Sequence, residues 1–373
     1  MTEQNDTLRV GVVGTGWITR AHAHALRVLN HIEPLSRRVK LAALAGRTPE
    51  RIETMAKEFG FERWTTNWED VVEASDIDVV ACLGTNALHA PVSIAALESG
   101  KPVLCEKPLA ESAEEAERIV DVAEATGLAA ACGFNYRFVP AVRLMRDLLS
   151  SGRLGDVRHF RGLYLQDWAA SEATTRPNLT GAGSVLDYSH ILDMLLYLVG
   201  EPTSVDGLTT SFAGGSDDAF LALCELPRDA TASLEASRYA TGRKGVHRIE
   251  VNATLGSAWW DMEDVNRLHV FLVDDERTGL GGFRDILVSE PDHPFMHQWW
   301  PPGHVIGWEH SFVHQWRAFL EAVIEQRPVD PLQANFADGL RISRFADAIY
   351  ESARESRRIP LELSPRSSKR RTP

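Results

Sequence analysis

Apolar positions in the first third of the chain come in short runs separated by longer stretches of mixed character. Arg9–Val13 (RVGVV), Val39–Ala45 (VKLAALA), Asp78–Leu83 (DVVACL) and Pro102–Cys105 (PVLC) are too short for helices and hold few polar residues. Runs of that kind predict strands buried on both faces. Between them the spacing is helical. Trp17 to about Leu29, PERIETMAKEFG with Pro49 near its start and Gly60 at its end, APVSIAALESG and SAEEAERIVDVAEATG each read as a helix. Strands alternating with helices of this length predict a doubly wound parallel sheet.

The pattern changes after AACGFNYRF (Ala130–Phe138). A helix from Pro140 to Ser151 leads into strand-like runs at Val157–Leu165, Ser204–Phe212, Phe220–Leu226, Thr231–Ser237, Arg248–Ala253 and Ser257–Trp260. With few helices between them, they predict one large, mostly antiparallel open sheet. A helix at about Gly183–Leu198 interrupts the series, and two more, near Glu309–Glu325 and Phe336–Arg354, close it. The expected organisation is a doubly wound α/β domain over 1–136, an α+β domain over 137–362 and a basic, disordered tail over 363–373.

Composition narrows the function classes. The 373 residues carry 39 basic and 52 acidic side chains, a formal charge of -13, which argues against nucleic-acid and anionic-membrane surfaces. No apolar run approaches the ~20 residues that span a bilayer. The opening MTEQNDT lacks the layout of a signal peptide. Four cysteines, at 82, 105, 132 and 224, form no CxxC pair, and three lie in strand-like runs. They read as buried thiols of a reduced, cytoplasmic protein.

Three places carry candidate chemistry. Gly14-Thr15-Gly16, directly after a strand and before the helix opening at Trp17 and Ile18, has the start of a dinucleotide turn. Its usual third small residue is Thr19 here. Where a NAD-preferring site places a carboxylate after the second strand, this chain has Gly46-Arg47. Glycine leaves room for a 2′-phosphate and arginine can pair with it, which favours NADP over NAD. Arg47 stacked on the adenine face serves either cofactor and is the alternative.

The second place is VLCEKPL (Val103–Leu109), where an apolar strand ends in Glu106, Lys107 and Pro108; Thr85, Asn86 and His89 follow the preceding strand. Ligands of doubly wound sheets sit beyond the carboxyl ends of the strands. Lys107, kept extended by Pro108, could hold a substrate hydroxyl and stabilise a developing alkoxide. A surface ion pair is the alternative. The third place is GAGSVLDYSHILDMLLYL. Asp187, His190 and Asp193, three apart, are expected on roughly one face of one apolar helix, with His190 as general base. A buried polar pair is the alternative there. The pairs His310/His314 and His293/His297 lack a third ligand, so no metal is expected. The loop HQWWPPGHVIGWEH (His297–His310) offers tryptophans for stacking on sugar rings or for an oligomer contact.

Taken in order, the glycine turn, CEKPLA, GFNYRFVPAVR, YLQDW, GAGSVLDYSHILDMLLYLVGEP and GWEHSFVHQWRAFLEAV resemble the glucose-fructose oxidoreductase / inositol dehydrogenase / MocA (Gfo/Idh/MocA) family over nearly the whole chain. The resemblance implies a Rossmann domain, then an α/β domain whose open sheet mediates homo-oligomerisation as a dimer or tetramer. It implies a catalytic trio of Lys107, Asp187 and His190 and a cis Lys107–Pro108 bond. Cofactor contacts are expected from Gly14, Gly16, Trp17, Ile18, Gly46, Arg47, Thr85, Asn86, His89, Glu106, Lys107, Asn135 and Arg137, with Glu106 beside the nicotinamide ribose. Gln166, Asp167, Trp168, His304 and His310 are the candidates for substrate hydroxyls. The implied activity is NAD(P)-dependent oxidation of a secondary hydroxyl on a sugar, sugar derivative or cyclic polyol. Transient use of NAD to cleave glycosides and a non-catalytic sugar sensor are the alternatives. Three departures stand out: Thr19, Gly84-Thr85-Asn86 where relatives commonly have Thr-Pro-Asn, and a three-residue rather than four-residue step from Asp187 to His190.

Overall fold

The computed structural model describes residues 6–32, 34–170, 183–212 and 214–364. All but two residues of the predicted basic tail lie outside the described residues. The chain divides into two compact units. Met1–Phe138, Gln298–Trp300 and Ile306–Leu340 form the first; Val139–His297, Pro301–Val305 and Arg341–Pro373 form the second. Reading 137–362 as one block therefore misses the return of residues 306–340 to the first unit.

The first unit is built on six parallel strands in the order β3-β2-β1-β4-β5-β6. They are β1 (Thr7–Val13), β2 (Arg38–Ala45), β3 (Arg63–Thr65), β4 (Val79–Cys82), β5 (Val103–Cys105) and β6 (Ala130–Cys132). Helices α1 (Trp17–Ile32), α2 (Pro49–Phe59), α3 (Glu69–Val72), α4 (Asn86–Glu98) and α5 (Ala113–Thr126) connect them. The local signals behave as their chemistry requires. Pro49 opens α2, Gly60 closes it at φ 76°, and Ser112 caps α5 by accepting from the Glu115 amide.

The register makes the strand ends flush. Ala45, Val13, Cys82, Cys105 and Cys132 form one continuous rung across five strands. Whatever follows each of them therefore emerges at a common edge, and the strand order reverses there between β1 and β4. Beneath that edge Leu8, Val10, Val12, Leu41 and Leu44 pack with Phe312, Trp316, Phe319 and Leu320 of the helix His310–Ile324. Each such burial is worth about 1.5–3 kcal/mol, which explains why this late helix belongs to the first unit.

The second unit carries a nine-stranded sheet in the order β14-β13-β12-β11-β7-β10-β9-β8-β15. The strands are β7 (Val157–Leu165), β8 (Ser204–Thr210), β9 (Ala219–Leu226), β10 (Ala230–Ser237), β11 (Val246–Ala253), β12 (Gly256–Asp261), β13 (Arg267–Leu272), β14 (Arg284–Leu287) and β15 (Ile359–Pro360). Only β7 and β10 pair in parallel. Residues alternate strictly along β9, with Phe220, Ala222 and Cys224 buried and Leu221, Leu223 and Glu225 exposed. Helix α6 (Pro140–Ser150) precedes the sheet.

The predicted helix over Gly183–Leu198 is two helices. A single turn, α7 (Ser184–Asp187), ends before Tyr188, and α8 (His190–Leu198) starts afresh. Tyr188 sits at φ -94°, ψ 24°, its ring 4.8 Å from Tyr164, and its hydroxyl accepts from Trp168 Nε1 at 3.2 Å. That anchor turns the chain where local sequence would continue the helix. Asp187 and His190 are thus on different helices, and the shared helical face expected for Asp187, His190 and Asp193 does not exist. Among the described residues no helix is long and apolar enough to cross a membrane.

Candidate active site

At the first strand exit, Gly14 has φ 123°, and a Cβ there would meet the Leu83 carbonyl oxygen at 2.4 Å. Nothing lies within 4 Å of where a Gly16 Cβ would stand, so the backbone is open to a ligand. Thr19 is fully buried and donates its hydroxyl to the Gly14 carbonyl at 3.1 Å. The third small residue is thus replaced by one that ties the turn shut. Trp17 opens α1 with no acidic residue in the first turn, which leaves the helix N-terminus favourable to an anion. A bare backbone at a helix start beside a topological switch point fits a dinucleotide pyrophosphate. Trp17 is exposed and stacks on Trp308 at 5.9 Å, and Ile18 lies half-buried beside it.

Gly46 has a different reason from the one expected. A Cβ there would come within 2.7 Å of Thr15 Cγ2 and 2.9 Å of Ile52 Cγ1, so glycine is required by packing against the turn. Arg47 is exposed at the same edge, and Thr85 and Asn86 begin α4 there. His89 is not at that surface. It is buried, and its Nδ1 donates to the Pro108 carbonyl at 2.7 Å, with burial lowering its pKa.

Glu106 is buried as well. Its Oε1 lies 2.9 Å from His22 Nε2, and its Oε2 accepts from the Lys107 amide at 3.0 Å. Trp316 Nε1 donates to His22 Nδ1 at 2.9 Å, which leaves the ring proton on Nε2 and aims it at the carboxylate. Gly133 makes the space, since its Cβ would sit 2.8 Å from Glu106 Oε1. The carboxylate expected beside the cofactor ribose is therefore clasped inside the unit, while Lys107, half-buried, follows it through a cis bond to Pro108. His22, Trp316 and Gly133 were not found from the sequence.

Asn135 and Arg137 are also engaged internally, Asn135 donating to Ser311 Oγ at 2.8 Å and Arg137 pairing with Asp338 at 3.2 Å. Both are buried. His314 Nδ1 donates to the Phe138 carbonyl and its Nε2 accepts from Trp299 Nε1. Cys82, His89 and Cys105 do bring ligand atoms within 4.8 Å of one another. Burial pushes the Cys105 thiol well above its ordinary range. The Cys82 thiol donates to the Leu88 carbonyl, so the group packs the sheet end. His310, at the start of its helix, packs edge-on to Trp299 at 4.3 Å and accepts from the Gly307 amide.

In the second unit, Asp187 Oδ2 lies 3.3 Å from Arg238 Nε, and Arg238 lies 5.4 Å from the Trp168 ring. His190, at the start of α8, rests on Tyr164 and His247, each at 6.2 Å between ring centres. Tyr164 and His247 are stacked at 4.7 Å and 2°, and Trp260 meets His247 edge-on. Burial pushes His247 down to about 3, so this floor is uncharged near neutral pH. Gln166 and Asp167 both meet Lys244. Gln166 donates to the Lys244 carbonyl, and Asp167 pairs with the Lys244 ammonium, which holds its carboxyl below the usual range. His304 is exposed and donates to the Pro301 carbonyl. It belongs to the second unit and His310 to the first, so the predicted aromatic loop is divided. Arg238 and His247, both buried, gave no periodic signal in the sequence.

Residues 8–134 match the model of an oxidoreductase family with an NAD-binding Rossmann fold, and residues 142–259 match the GFO/IDH/MocA C-terminal domain. The levoglucosan dehydrogenase of Pseudarthrobacter phenanthrenivorans is 31% identical over 379 residues, covering 93% of this chain and 96% of that one. The scyllo-inositol 2-dehydrogenase (NAD(+)) of Bacillus subtilis is 30% identical over 67% of this chain and 72% of its own. Among solved structures, an oxidoreductase domain protein from Kribbella flavida superposes with a TM-score of 0.90 at 35% identity, over 95% of this chain and 99% of that one. Levoglucosan dehydrogenase in complex with NADH and levoglucosan gives 0.90 at 32% identity over the same shares. With the glycine turn, the flush strand edge and the cis Lys107–Pro108 exit already in place, the conclusion is direct: the chain belongs to the Gfo/Idh/MocA oxidoreductase family.

Proposed function

We propose that this oxidoreductase oxidises a secondary hydroxyl of a pyranose sugar, a sugar derivative or a cyclic polyol. The observation that carries the reading is Lys107, a half-buried cation delivered by β5 to the same strand edge as the open glycine turn. The relatives named for levoglucosan and scyllo-inositol support the substrate class. Bound nicotinamide supplies the hydride acceptor. Lys107 holds the reacting oxygen and stabilises its developing charge, and His190 takes its proton. Asp187 orients His190 or holds a neighbouring hydroxyl. Trp168 offers an aromatic face to the sugar ring. Four buried cysteines, none of them in a disulfide, support a reducing, cytoplasmic setting.

Arg47 reads the 2′ position of the adenosine ribose in this proposal, so NADP is accepted as well as NAD. The test is a panel of monosaccharides, anhydrosugars and inositols with each cofactor, run on the wild type and on Arg47→Glu. Turnover on at least one sugar is expected, with the variant losing NADP use by about 10-fold or more while keeping NAD, as removal of a charge-assisted phosphate contact requires. Sugar release without net cofactor reduction moves the reading to glycoside cleavage. Cofactor binding without turnover anywhere on the panel moves it to a sensor.

The chain is further proposed to self-associate through the outer face of the nine-stranded sheet. Leu208 and Leu221 are cross-strand partners, 57% and 49% exposed, and Leu223 is 63% exposed on the same face of β9. Adjacent exposed leucines on a sheet suit a second copy better than water. Leu223→Lys is expected to lower the sedimentation mass of the wild-type oligomer. An unchanged mass removes this face from the interface.

A further inference from the structure

We propose that Arg238 is a positioning residue of the reaction, fixing the carboxylate of Asp187 through an ion pair and through its packing on Trp168. The proposal rests on the dehydrogenase reading and uses residues of the second unit alone.

Arg238 follows the last residue of β10, and its backbone is held on both sides. Its amide donates to the Asp218 carbonyl at 2.9 Å, and its carbonyl accepts from the Ala169 amide at 3.2 Å. Its side chain is 4% exposed. A guanidinium so far from water is costly unless an anion faces it. Asp187 provides one at 3.3 Å, with its own side chain still 36% exposed. The neighbouring acid Asp217 is already engaged: it accepts from the Ser184 hydroxyl and, at 3.2 Å, from the Val185 amide. Its carboxylate thus caps the start of α7.

The break in the helix explains why such an anchor is needed. Asp187 is the last residue of a one-turn helix, and His190 starts another. Between them the backbone bonds shorten to three-residue steps, Ser189 N–H to the Leu186 carbonyl at 3.3 Å and Ile191 N–H to the Tyr188 carbonyl at 3.1 Å, so the regular four-residue ladder does not run unbroken from Asp187 to His190. An external partner on one oxygen fixes the carboxylate, and the 36% exposure of the Asp187 side chain leaves room for His190 or a substrate hydroxyl. The planar guanidinium suits this position because it pairs with Asp187 while lying over Trp168 at 5.4 Å. Trp168 is itself held by donating to the Tyr188 hydroxyl. Arg238, Trp168 and Tyr188 thus form a brace around the turn that separates the two helices. Arg238 is too buried to touch substrate; it acts through Asp187.

The test is a double-mutant cycle of Arg238→Gln and Asp187→Asn, with Arg238→Lys as the conservative variant. It reads kcat, KM, NADH affinity and unfolding free energy. Arg238→Gln is expected to lose about 10²-fold in kcat, the scale of a misplaced reacting group, with NADH affinity unchanged. The double variant is expected to be no slower than Asp187→Asn alone, because one effect acts through the other. Arg238→Lys should regain part of kcat and, where the glutamine variant fails to fold, replaces it in the cycle. Independent, multiplying losses overturn the proposal, as does wild-type kcat in Arg238→Gln. Coupling in unfolding free energy without coupling in kcat also overturns it and leaves Arg238 a packing residue. A wild-type chain inactive on every sugar sinks the dehydrogenase reading instead, and the unfolding cycle then still reports whether the ion pair exists.

Discussion

Lys107→Met is expected to lower kcat by about 10³-fold while leaving NADH affinity unchanged, the scale seen when one donor to a developing oxyanion is removed. The substitution isolates charge from shape. Methionine matches the lysine stem in length and flexibility, so packing at the strand exit is kept. The Lys107 amide, which donates to Glu106 Oε2, is untouched, as are His22 and Trp316 behind that carboxylate. What disappears is an ammonium in a partly dehydrated place, where a charge acts more strongly than in water. In the proposed reading, cofactor affinity comes from a separate part of the same edge, the backbone at Gly14–Gly16 and the start of α1. Arginine should not restore the rate, because its planar fork cannot occupy the position of a compact ammonium. Stopped-flow reduction of the cofactor alongside a fluorescence titration with NADH checks both halves. Wild-type turnover in Lys107→Met sinks the assignment. Loss of NADH binding in the same variant would instead make Lys107 a cofactor ligand.

The residues behind this prediction show what the sequence could and could not reveal. The doubly wound half was legible because its strands are buried on both faces and stand out as short apolar runs. The alternating strands β7 to β12 were legible through their period of two. The strands β3, β6, β13, β14 and β15 escaped, β6 being only the three residues Ala130–Cys132. β3 and β15 are only three and two residues long, and Arg267–Leu272 and Arg284–Leu287 mix charge with apolar residues. Glu106 was correctly singled out as an odd charge at a strand end, but its partner lies 84 residues away and that partner's own partner 294 residues away. No local pattern encodes such contacts. The break between α7 and α8 was hidden for a related reason. Neither Gly nor Pro marks it, and the bend is imposed by Tyr188 packing on Tyr164 and bonding to Trp168. Tertiary anchoring overrode local propensity there, and it moved Asp187 from a shared helix face into the grip of Arg238.

Stability should fall steeply on acidification because of His247, and His247→Phe should flatten the fall. The ring is fully buried, stacked on Tyr164 and edge-on to Trp260, and burial lowers its pKa from 6.5 to about 3. In the unfolded chain the imidazole titrates near 6.5, so between that pH and about 3 the unfolded state binds one more proton than the folded state. The sign follows: stability is complete above pH 6.5 and declines as the pH falls towards 3. Each pH unit in that window costs about 1.4 kcal/mol, hence about 2 kcal/mol between pH 6.5 and 5. That interval lies above the range of ordinary carboxylates, which keeps the acids held low by Arg63 and Lys244 from contributing. Phenylalanine preserves both ring contacts and cannot take up a proton. Urea unfolding of the two proteins at pH 7.5 and pH 5 should therefore show the wild type losing about 2 kcal/mol more than the variant. Parallel losses would mean that His247 gains a proton without unfolding. The imidazolium would then stand 6.2 Å from His190, and two cations so close would repel each other. A neutral His247 avoids that repulsion, so in the proposed reading the burial that makes the fold acid-sensitive also spares His190, as the general base, a neighbouring charge.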